Sequence, residues 1–231
     1  CEQKFARCRF FIEGWQLFDI DIVLKSIRHE NKRFIEPIVT TISRKRTPFH
    51  VLISCLLSLR TKDQTTSEAS RRLFAVADNP EEMMNIPIPK LEKLIYPVGF
   101  YRTKARKIKE ICKILIAEYN SMVPDEIDEL LKLNGVGRKT ANLVVTLGYK
   151  KLGICVDTHV HRITNRWGYV KTKNPHETEF ILREKLPKKY WLTINDLLVT
   201  YGQNICVPIS PKCSICQVSA YCEKVGVTRH R

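Results

Sequence analysis

The chain has no long apolar runs. No stretch of its 231 residues approaches the 18 or so uninterrupted apolar residues of a membrane-spanning helix. Its start shows no charged, apolar and small-residue segments in the order of a secretory signal. Strand-like alternation is scarce, and neither a fixed repeat nor a low-complexity linker is present. We therefore expect no membrane span, no signal peptide and no sheet-based fold.

Acidic residues are also few. The chain has 24 Asp and Glu against 39 Lys and Arg, which gives a formal net charge of +15 and a pI near 9.5. Hydrophobic residues make up 44% and charged residues 27%, as in an ordinary globular protein. An excess of positive charge is typical of nucleic-acid-binding proteins, although a basic protein without such a partner stays open.

Four of the nine cysteines form a C-x6-C-x2-C-x5-C pattern: Cys206, Cys213, Cys216 and Cys222. An odd number of cysteines without a secretory signal argues against a disulfide framework. Four thiolates this close can ligate a tetrahedral zinc ion or a [4Fe–4S] cluster. Zinc sites usually have two C-x2-C pairs and only one is present, so we favour the cluster. Lys212, in the longest loop between the cysteines, would contact DNA phosphate or be solvated.

Apolar residues recur at helical spacing along almost the whole chain, which predicts an all-α protein. Three predicted helix starts combine a capping residue with a following proline, at Thr47-Pro48, Asn79-Pro80 and Asn174-Pro175. Pro124 is predicted to open another helix, PDEIDELLKL. Further helices are predicted near residues 17–29, 31–43, 62–76, 89–95, 102–119, 138–149, 158–166 and 189–205.

The stretch LNGVGRKTANLVV places a glycine turn between two predicted helices, a helix–hairpin–helix at about residues 125–149. Glycine permits a tight turn, and we expect the backbone N–H groups of Gly135, Val136 and Gly137 to be free to bind a phosphate oxygen. A plain helical hairpin with a glycine cap is the alternative.

Two cations, Arg138 and Lys139, follow the turn directly. A helix N-terminus already carries positive partial charge, so two cations there favour an anionic ligand. The basic run RTKARKIK at 102–109 has two interpretations: it faces DNA phosphate, or it is a solvated helix face.

Three motifs in this order resemble the endonuclease III family, the bifunctional helix–hairpin–helix DNA glycosylases that act on thymine glycol and related oxidised pyrimidines. They are LNGVGRKTANLVV, then VDTHVHR at 156–162, then the cysteine pattern. LISCLLSLRTKDQTT and LIYPVGFYRTKARKIK also match, so the resemblance covers about residues 40–225. The hairpin alone is shared by many DNA-binding proteins, whereas the combination is specific.

The resemblance implies an all-α, two-lobed helix–hairpin–helix DNA glycosylase fold with the DNA site between the lobes. A six-helix barrel lobe would span residues 41–151. An iron–sulfur cluster lobe would combine residues 17–40 with 152–231 and carry a [4Fe–4S] loop at 206–222. Residues 1–16 are predicted to be an N-terminal extension. The implied partner is double-stranded DNA with a damaged base or an abasic site, bound by a monomer.

Individual residues also match the family's motifs. Lys139 falls on the catalytic lysine, Asp157 on the catalytic aspartate, and the four cysteines on the cluster ligands. Val98 and Phe100 fall in the loop that wedges the duplex open; one of them could instead belong to the core, and Phe100 is the better wedge. His159 matches a residue near the lesion pocket.

Arg60 departs from the family pattern. The usual S-S-Q-T or S-A-Q-x segment is Ser58-Leu59-Arg60-Thr61 here, and the family's glutamine fills the gap left by the flipped nucleotide. Arg60 could fill the same gap, stack, or bind a purine edge, or it could simply contact phosphate. The preference for the opposite base is therefore open.

The implied reaction begins with attack of Lys139 on C1′ of the damaged nucleotide and ends with β-elimination, which cuts the strand on the 3′ side. Asp157 would stabilise positive charge on the sugar or handle the amine proton, and DTH also predicts that Asp157 caps a helix. Alternatives are a monofunctional mismatch or adenine glycosylase, and a non-enzymatic, cluster-bearing DNA-binding or redox-sensing module. We expect an intracellular location: cytoplasm or nucleoid in a prokaryote, nucleus or mitochondrion in a eukaryote.

Overall fold

The structure is a computed structural model that describes residues 18–35, 39–40 and 47–231. Within those ranges every regular element is helical, which confirms the predicted all-α fold. No helix there is both long and apolar enough to cross a bilayer. The α-helices are α1 Ile20–Asn31, α2 Pro48–Ser58, α3 Asp63–Phe74, α4 Pro80–Asn85, α5 Ile88–Ile95, α6 Tyr101–Glu118, α7 Ile127–Leu131, α8 Arg138–Leu143, α9 Thr158–Arg166, α10 Pro175–Lys185 and α11 Ile194–Asn204.

Two of the predicted helix starts have the expected caps. The Asn79 side chain accepts a hydrogen bond from the Glu82 N–H at the start of α4, and Asn174 accepts one from the Glu177 N–H at the start of α10, both at 2.9 Å. Proline occupies the first position of each helix, where it has no hydrogen bond to lose. Thr47 differs, because its hydroxyl pairs with His50 Nδ1 and caps no backbone N–H.

Three helix predictions are wrong at their boundaries. The helix expected over 189–205 begins only at Ile194, after a separate turn at Lys188–Tyr190. The helix expected to open at Pro124 begins at Ile127, after a segment in which Asp125 and Glu126 pair with the Lys151 ammonium at 2.9 and 2.7 Å. The helix expected over 31–43 does not begin there: α1 ends at Asn31 and a turn follows. Most of its remainder lies outside the described residues, as do residues 1–17 and therefore the predicted extension.

The buried side chains of the described residues form two clusters. The first core lies among α2 to α8, and the second joins α1 to α9, α10 and α11. The extended segment after α8 runs between them. Ile154 and Val156 belong to the second core while Cys155 between them belongs to the first, since successive side chains of an extended chain point to opposite sides. This segment ends at Asp157, so that residue lies where the two cores meet.

Helix α8 continues into a π-helical turn, Val144–Gly148, within the first core. The Thr146 hydroxyl donates to the Asn142 carbonyl at 2.6 Å along this stretch. The hairpin helix is thus anchored along its buried face, while its N-terminal residues, Arg138 and Lys139, face the second core.

Candidate active site

The turn between α7 and α8 has the predicted glycine geometry. Gly135 has φ of +87°, a conformation that favours glycine. Val136 was predicted to offer a free N–H group, and this is wrong: that group donates to the Leu133 carbonyl at 3.0 Å and closes the turn, and the Val136 side chain is buried in the core. Within the described part of the chain, the N–H groups of Gly135 and Gly137 make no hydrogen bond, so two amides remain for an anion.

Arg138 already has an anionic partner inside the protein. Its guanidinium donates to both carboxylate oxygens of Glu179 on α10, Nε at 2.8 Å and Nη2 at 3.0 Å, and lies 5.0 Å above the Phe180 ring. Bidentate pairing of this kind is among the strongest side-chain contacts. The charge of Arg138 is therefore directed at Glu179, and its contact with DNA stays a prediction.

Glu179 also receives two other side chains. Arg183 donates to it from one turn along α10, and Asn142 of α8 donates at 3.2 Å. Burial by itself would raise the pKa of Glu179, but the hydrogen bonds and charges of the two arginines outweigh it and hold that pKa below its usual range. This carboxylate, only 3% exposed, therefore joins the hairpin helix to the second core as an ion.

Lys139 and Asp157 meet at the boundary between the cores. Lys139 Nζ lies 3.8 Å from Asp157 Oδ2; the lysine side chain is 45% exposed and the aspartate 6%. The Cys155 thiol donates to the Lys139 carbonyl at 3.7 Å and fixes the backbone between them. The two residues predicted from the motifs are thus adjacent, with the amine accessible and the carboxylate enclosed.

The two oxygens of Asp157 have different surroundings. Oδ1 accepts hydrogen bonds from the N–H groups of His159 and Val160 at 2.8 and 2.9 Å, so Asp157 is the N-cap of α9, as its sequence predicts. Oδ2 faces Lys139. One oxygen therefore fixes the carboxylate in place and leaves the other for the amine.

A cavity of about 340 Å³ opens beside the Lys139–Asp157 pair. His159 lies in its wall, so the structure places this predicted residue in the cavity. Its Nδ1 accepts from Arg162 at 3.1 Å, and a Cβ on Gly202 would come within 2.4 Å of that atom, so glycine is required there. Burial lowers the pKa of His159, while the Asp157 charge opposes that shift.

The sequence did not single out the acidic and amide residues of this cavity. Asp63 lies at the start of α3, and Asn195 and Asp196 lie at the start of α11. Asp63 and Asp196 appear in the sequence only as acids in the first turn of a helix, which is common in any protein, and Asn195 has no distinguishing feature there. Asn195 also donates to the Cys155 carbonyl, so it holds the segment that leads to Asp157.

Arg60 and Phe100 lie together near the mouth of the cavity. The Arg60 Cζ atom is 5.7 Å from the centre of the Phe100 ring, and Phe100 is 63% exposed. Val98 is 1% exposed and belongs to the first core, so its predicted wedge role is wrong: an apolar side chain in that position is covered by its own core. Phe100 remains the candidate wedge.

The four C-terminal cysteines line one small cavity, and Lys212 lies in its wall rather than on an open surface. Cys206 Sγ accepts from Arg166 at 3.3 Å and Cys222 Sγ from the Lys224 N–H at 3.4 Å. Over the described ranges, no three His, Cys, Asp or Glu side chains converge as a single metal ion would require. The four thiols nonetheless line the same cavity.

The sequence matches one family of known proteins over most of its length. Residues 53–188 match the family described as HhH-GPD superfamily base excision DNA repair protein. Endonuclease III of Thermotoga maritima is 49% identical over 176 residues, which are 76% of this chain and 83% of that protein. Endonuclease III homolog 1, chloroplastic, of Arabidopsis thaliana is 44% identical over 183 residues, 75% of this chain and 48% of that protein. The chain thus spans most of the bacterial relative and about half of the plant one.

A similar fold occurs in solved complexes with DNA. A trapped endonuclease III–DNA covalent intermediate superposes with a TM-score of 0.79 at 34% identity, covering 89% of this chain and 94% of that one. A non-covalent endonuclease III–DNA complex superposes equally well.

The role of Glu179 is testable through stability. In Glu179→Gln the two guanidinium groups lose their charged partner. Breaking a buried ion pair costs about 3–5 kcal/mol, and because Arg138 and Arg183 are 29% and 26% exposed, we expect about 2–3 kcal/mol less stability in denaturant unfolding. Glu184→Gln, an exposed acid on the same helix, should change stability by less than about 0.5 kcal/mol. Equal effects from both variants would contradict a bridging role.

Proposed function

The chain belongs to the endonuclease III family of DNA glycosylases with AP lyase activity, and we propose that it acts as a bifunctional enzyme that removes oxidised pyrimidines from double-stranded DNA and cuts the strand. The observation that carries the proposal is the Lys139 amine, exposed at a cavity and 3.8 Å from the enclosed Asp157 carboxylate.

The cavity would hold the damaged nucleotide. A base cannot be reached inside the duplex, so it must be flipped out, at a cost of a few kcal/mol that is smaller for a poorly stacked lesion. A space of about 340 Å³ beside Lys139 suits one extruded nucleotide. His159, Asn195 and Asp196 in its wall would supply donors and acceptors for the edge of the base.

Lys139 would then act as the nucleophile. Its unprotonated amine attacks C1′, the C1′–N bond breaks, and the base leaves with the electron pair and takes up a proton. Loss of the amine proton and opening of the sugar give a Schiff base, which acidifies the protons on C2′. Removal of one of these protons expels the 3′ phosphate by β-elimination. Asp157 Oδ2, which faces Lys139, would accept the amine proton or stabilise positive charge at the sugar.

A monofunctional glycosylase is the competing proposal. Such an enzyme activates water and needs no amine at this position. The close approach of Lys139 to Asp157 favours the lyase over that enzyme, and also over a non-catalytic DNA-binding or redox-sensing module.

The DNA backbone would bind on the same side. The Gly135 and Gly137 amides can donate to a phosphate oxygen, and the charge of +15 supplies a general attraction for a polyanion. The relatives solved with DNA support this partner. A DNA substrate requires a compartment that contains DNA, so we propose that the reaction is intracellular and that a monomer carries it out.

Cys206, Cys213, Cys216 and Cys222 would hold a [4Fe–4S] cluster, because all four line one cavity. When bound, such a cluster cross-links its loop and can exchange an electron. Cys206, Cys216 and Cys222 also pack against the second core, so the loop would be fixed to that side. We accordingly propose a barrel lobe at residues 41–151 and a cluster lobe formed by residues 17–40 and 152–231.

The nucleophile can be identified by reductive trapping. With an abasic or thymine-glycol duplex and borohydride, the wild-type protein should form a covalent adduct, and Lys139→Gln should form none, because a glutamine amide cannot make a Schiff base. Lys171→Gln, which removes an exposed lysine, should trap normally. An undiminished adduct in Lys139→Gln would assign the chemistry to another amine.

One substitution can separate the capping role of Asp157 Oδ1 from the role of Oδ2, which faces the amine. Asn caps a helix about as well as Asp, so Asp157→Asn should change unfolding free energy by less than about 0.5 kcal/mol. Base release in a single turnover should fall by about 10²–10³-fold, because the charge facing the amine is lost. A variant that kept the full rate would show that the carboxylate serves only as a cap.

The cluster can be tested without activity. Cys213→Ser should abolish the broad visible absorption and the bound iron of the purified protein, since one thiolate ligand is missing. Cys112→Ala, which changes a cysteine buried in the first core, should keep both. Purified wild-type protein with stoichiometric zinc and no iron would overturn the cluster assignment.

A further inference from the structure

Two neighbouring loops each present one exposed side chain in a strained backbone conformation. Arg60 follows α2 with φ of 52°, and Phe100 precedes α6 with φ of 58°. Left-handed backbone is uncommon outside glycine and is least expected for a bulky residue. Non-glycine residues are held in this region only when their surroundings impose it, and such positions concentrate at functional sites.

The two loops are in direct backbone contact at Gly99. The Gly99 N–H donates to the Thr61 hydroxyl at 3.1 Å. A Cβ at Gly99 would lie 2.7 Å from the Arg60 carbonyl oxygen, a backbone atom that cannot move alone. The loops therefore touch only because position 99 has no side chain.

Lys104 lies near the start of α6, the helix that follows Phe100, and its side chain contacts the Arg60 loop. Its ammonium donates to the Leu57 and Leu59 carbonyls at 2.9 and 2.6 Å and to the Thr61 hydroxyl at 3.2 Å. Three donors thus meet three acceptors, and the Thr61 oxygen is shared by Lys104 and Gly99. Within the basic run at 102–109, Lys104 thus contacts the protein itself, whereas Arg102 and Arg106 are exposed.

The ammonium of Lys104 is buried among neutral groups. Its residue is 7% exposed, and the atoms that it contacts are two carbonyls and one hydroxyl. Burial lowers its pKa to about 8. The end of α2 offers only the partial negative charge of its last carbonyls. These three hydrogen bonds and the partial charge of the carbonyls hold the ammonium at the end of α2, and with it the start of α6.

We propose that Lys104 is a positioning residue that locks the Arg60 loop to the Phe100 loop, so that the two side chains enter the DNA as one rigid unit. The proposal rests on the proposed function, since it assigns to this unit the opening of the duplex. Arg60 would occupy the space vacated by the flipped nucleotide while Phe100 separates the neighbouring bases. Lys104 touches neither the cavity beside Lys139 nor the reacting atoms.

This arrangement separates duplex opening from chemistry. Without Lys104 the two loops would be held together less firmly, by the Gly99 contact with Thr61, and part of the binding energy would be spent on ordering them. The rate of adduct formation should therefore fall on any substrate in which a base pair must be opened. The rate should not fall where the sugar is already extruded, because Lys139 and Asp157 are held by other contacts.

The test compares Lys104→Met with Lys109→Met. Lys109 lies on the same helix, and its ammonium likewise donates to a backbone carbonyl, that of Met84 at 2.6 Å, with a pKa lowered by burial. Each variant would be assayed by borohydride trapping on an abasic site in a duplex and in a single strand. Stopped-flow fluorescence of 2-aminopurine opposite the abasic site would report opening of the duplex.

We expect Lys104→Met to slow duplex trapping and the fluorescence change by about tenfold or more, equivalent to about 1.4 kcal/mol. Its single-strand trapping should stay within about twofold of the wild-type rate, and Lys109→Met should show no difference between the two substrates. Equal losses on both substrates, or equal behaviour of the two variants, would reduce Lys104 to a structural residue and overturn the proposal.

If Lys104→Met does not fold, Gly99→Ala gives the same information, because its methyl group separates the loops while Lys104 is retained. It should show the same loss on the duplex alone, and a Gly99→Ala protein that behaves like wild type would overturn the proposal. Absence of trapping by wild-type protein on either substrate would instead refute the proposed lyase.

Discussion

The placement of the reactive lysine depends on a carboxylate that solvent hardly reaches. Glu179 of α10 receives Arg138 and Asn142 from the hairpin helix and Arg183 from its own helix. Lys139 follows Arg138 directly in the chain, whereas Asp157 belongs to the helix on the other side of the boundary. Two separately packed cores therefore have to be held in register for an amine and a carboxylate to meet, and Glu179 provides that connection.

This arrangement resolves the excess of positive charge at the start of α8. Two adjacent cations at a helix N-terminus are unfavourable without an anion. The structure supplies one anion to each: Glu179 to Arg138, and Asp157 to Lys139. The first pair is bidentate and close, while the second is longer and half open to solvent. The Arg138–Glu179 pair is suited to holding α8 against α10, and the Lys139–Asp157 pair leaves the lysine amine accessible.

Local patterns in the sequence predicted the parts that depend on neighbouring residues. The caps at Asn79 and Asn174, the glycine turn and the cap at Asp157 each follow from residues a few positions apart. The contact between Arg138 and Glu179 joins residues 41 positions apart, with no local pattern to indicate it.

Burial was the other property that sequence could not supply. Val98 and Phe100 are two positions apart and both apolar, yet one is in the core and the other in solvent. Lysine is usually a surface residue, yet Lys104 is buried. In each case the outcome depends on which distant segment covers the side chain.

The segment from Ile154 to Val156 sends successive side chains into opposite cores. Inserting one residue there would turn each following side chain to the opposite side. Cys155 would then face the second core, and Asp157 would point away from Lys139. Inserting two would restore the alternation. Whether this short extended segment has an odd or an even number of residues is therefore as much a condition for the active site as any single side chain in it.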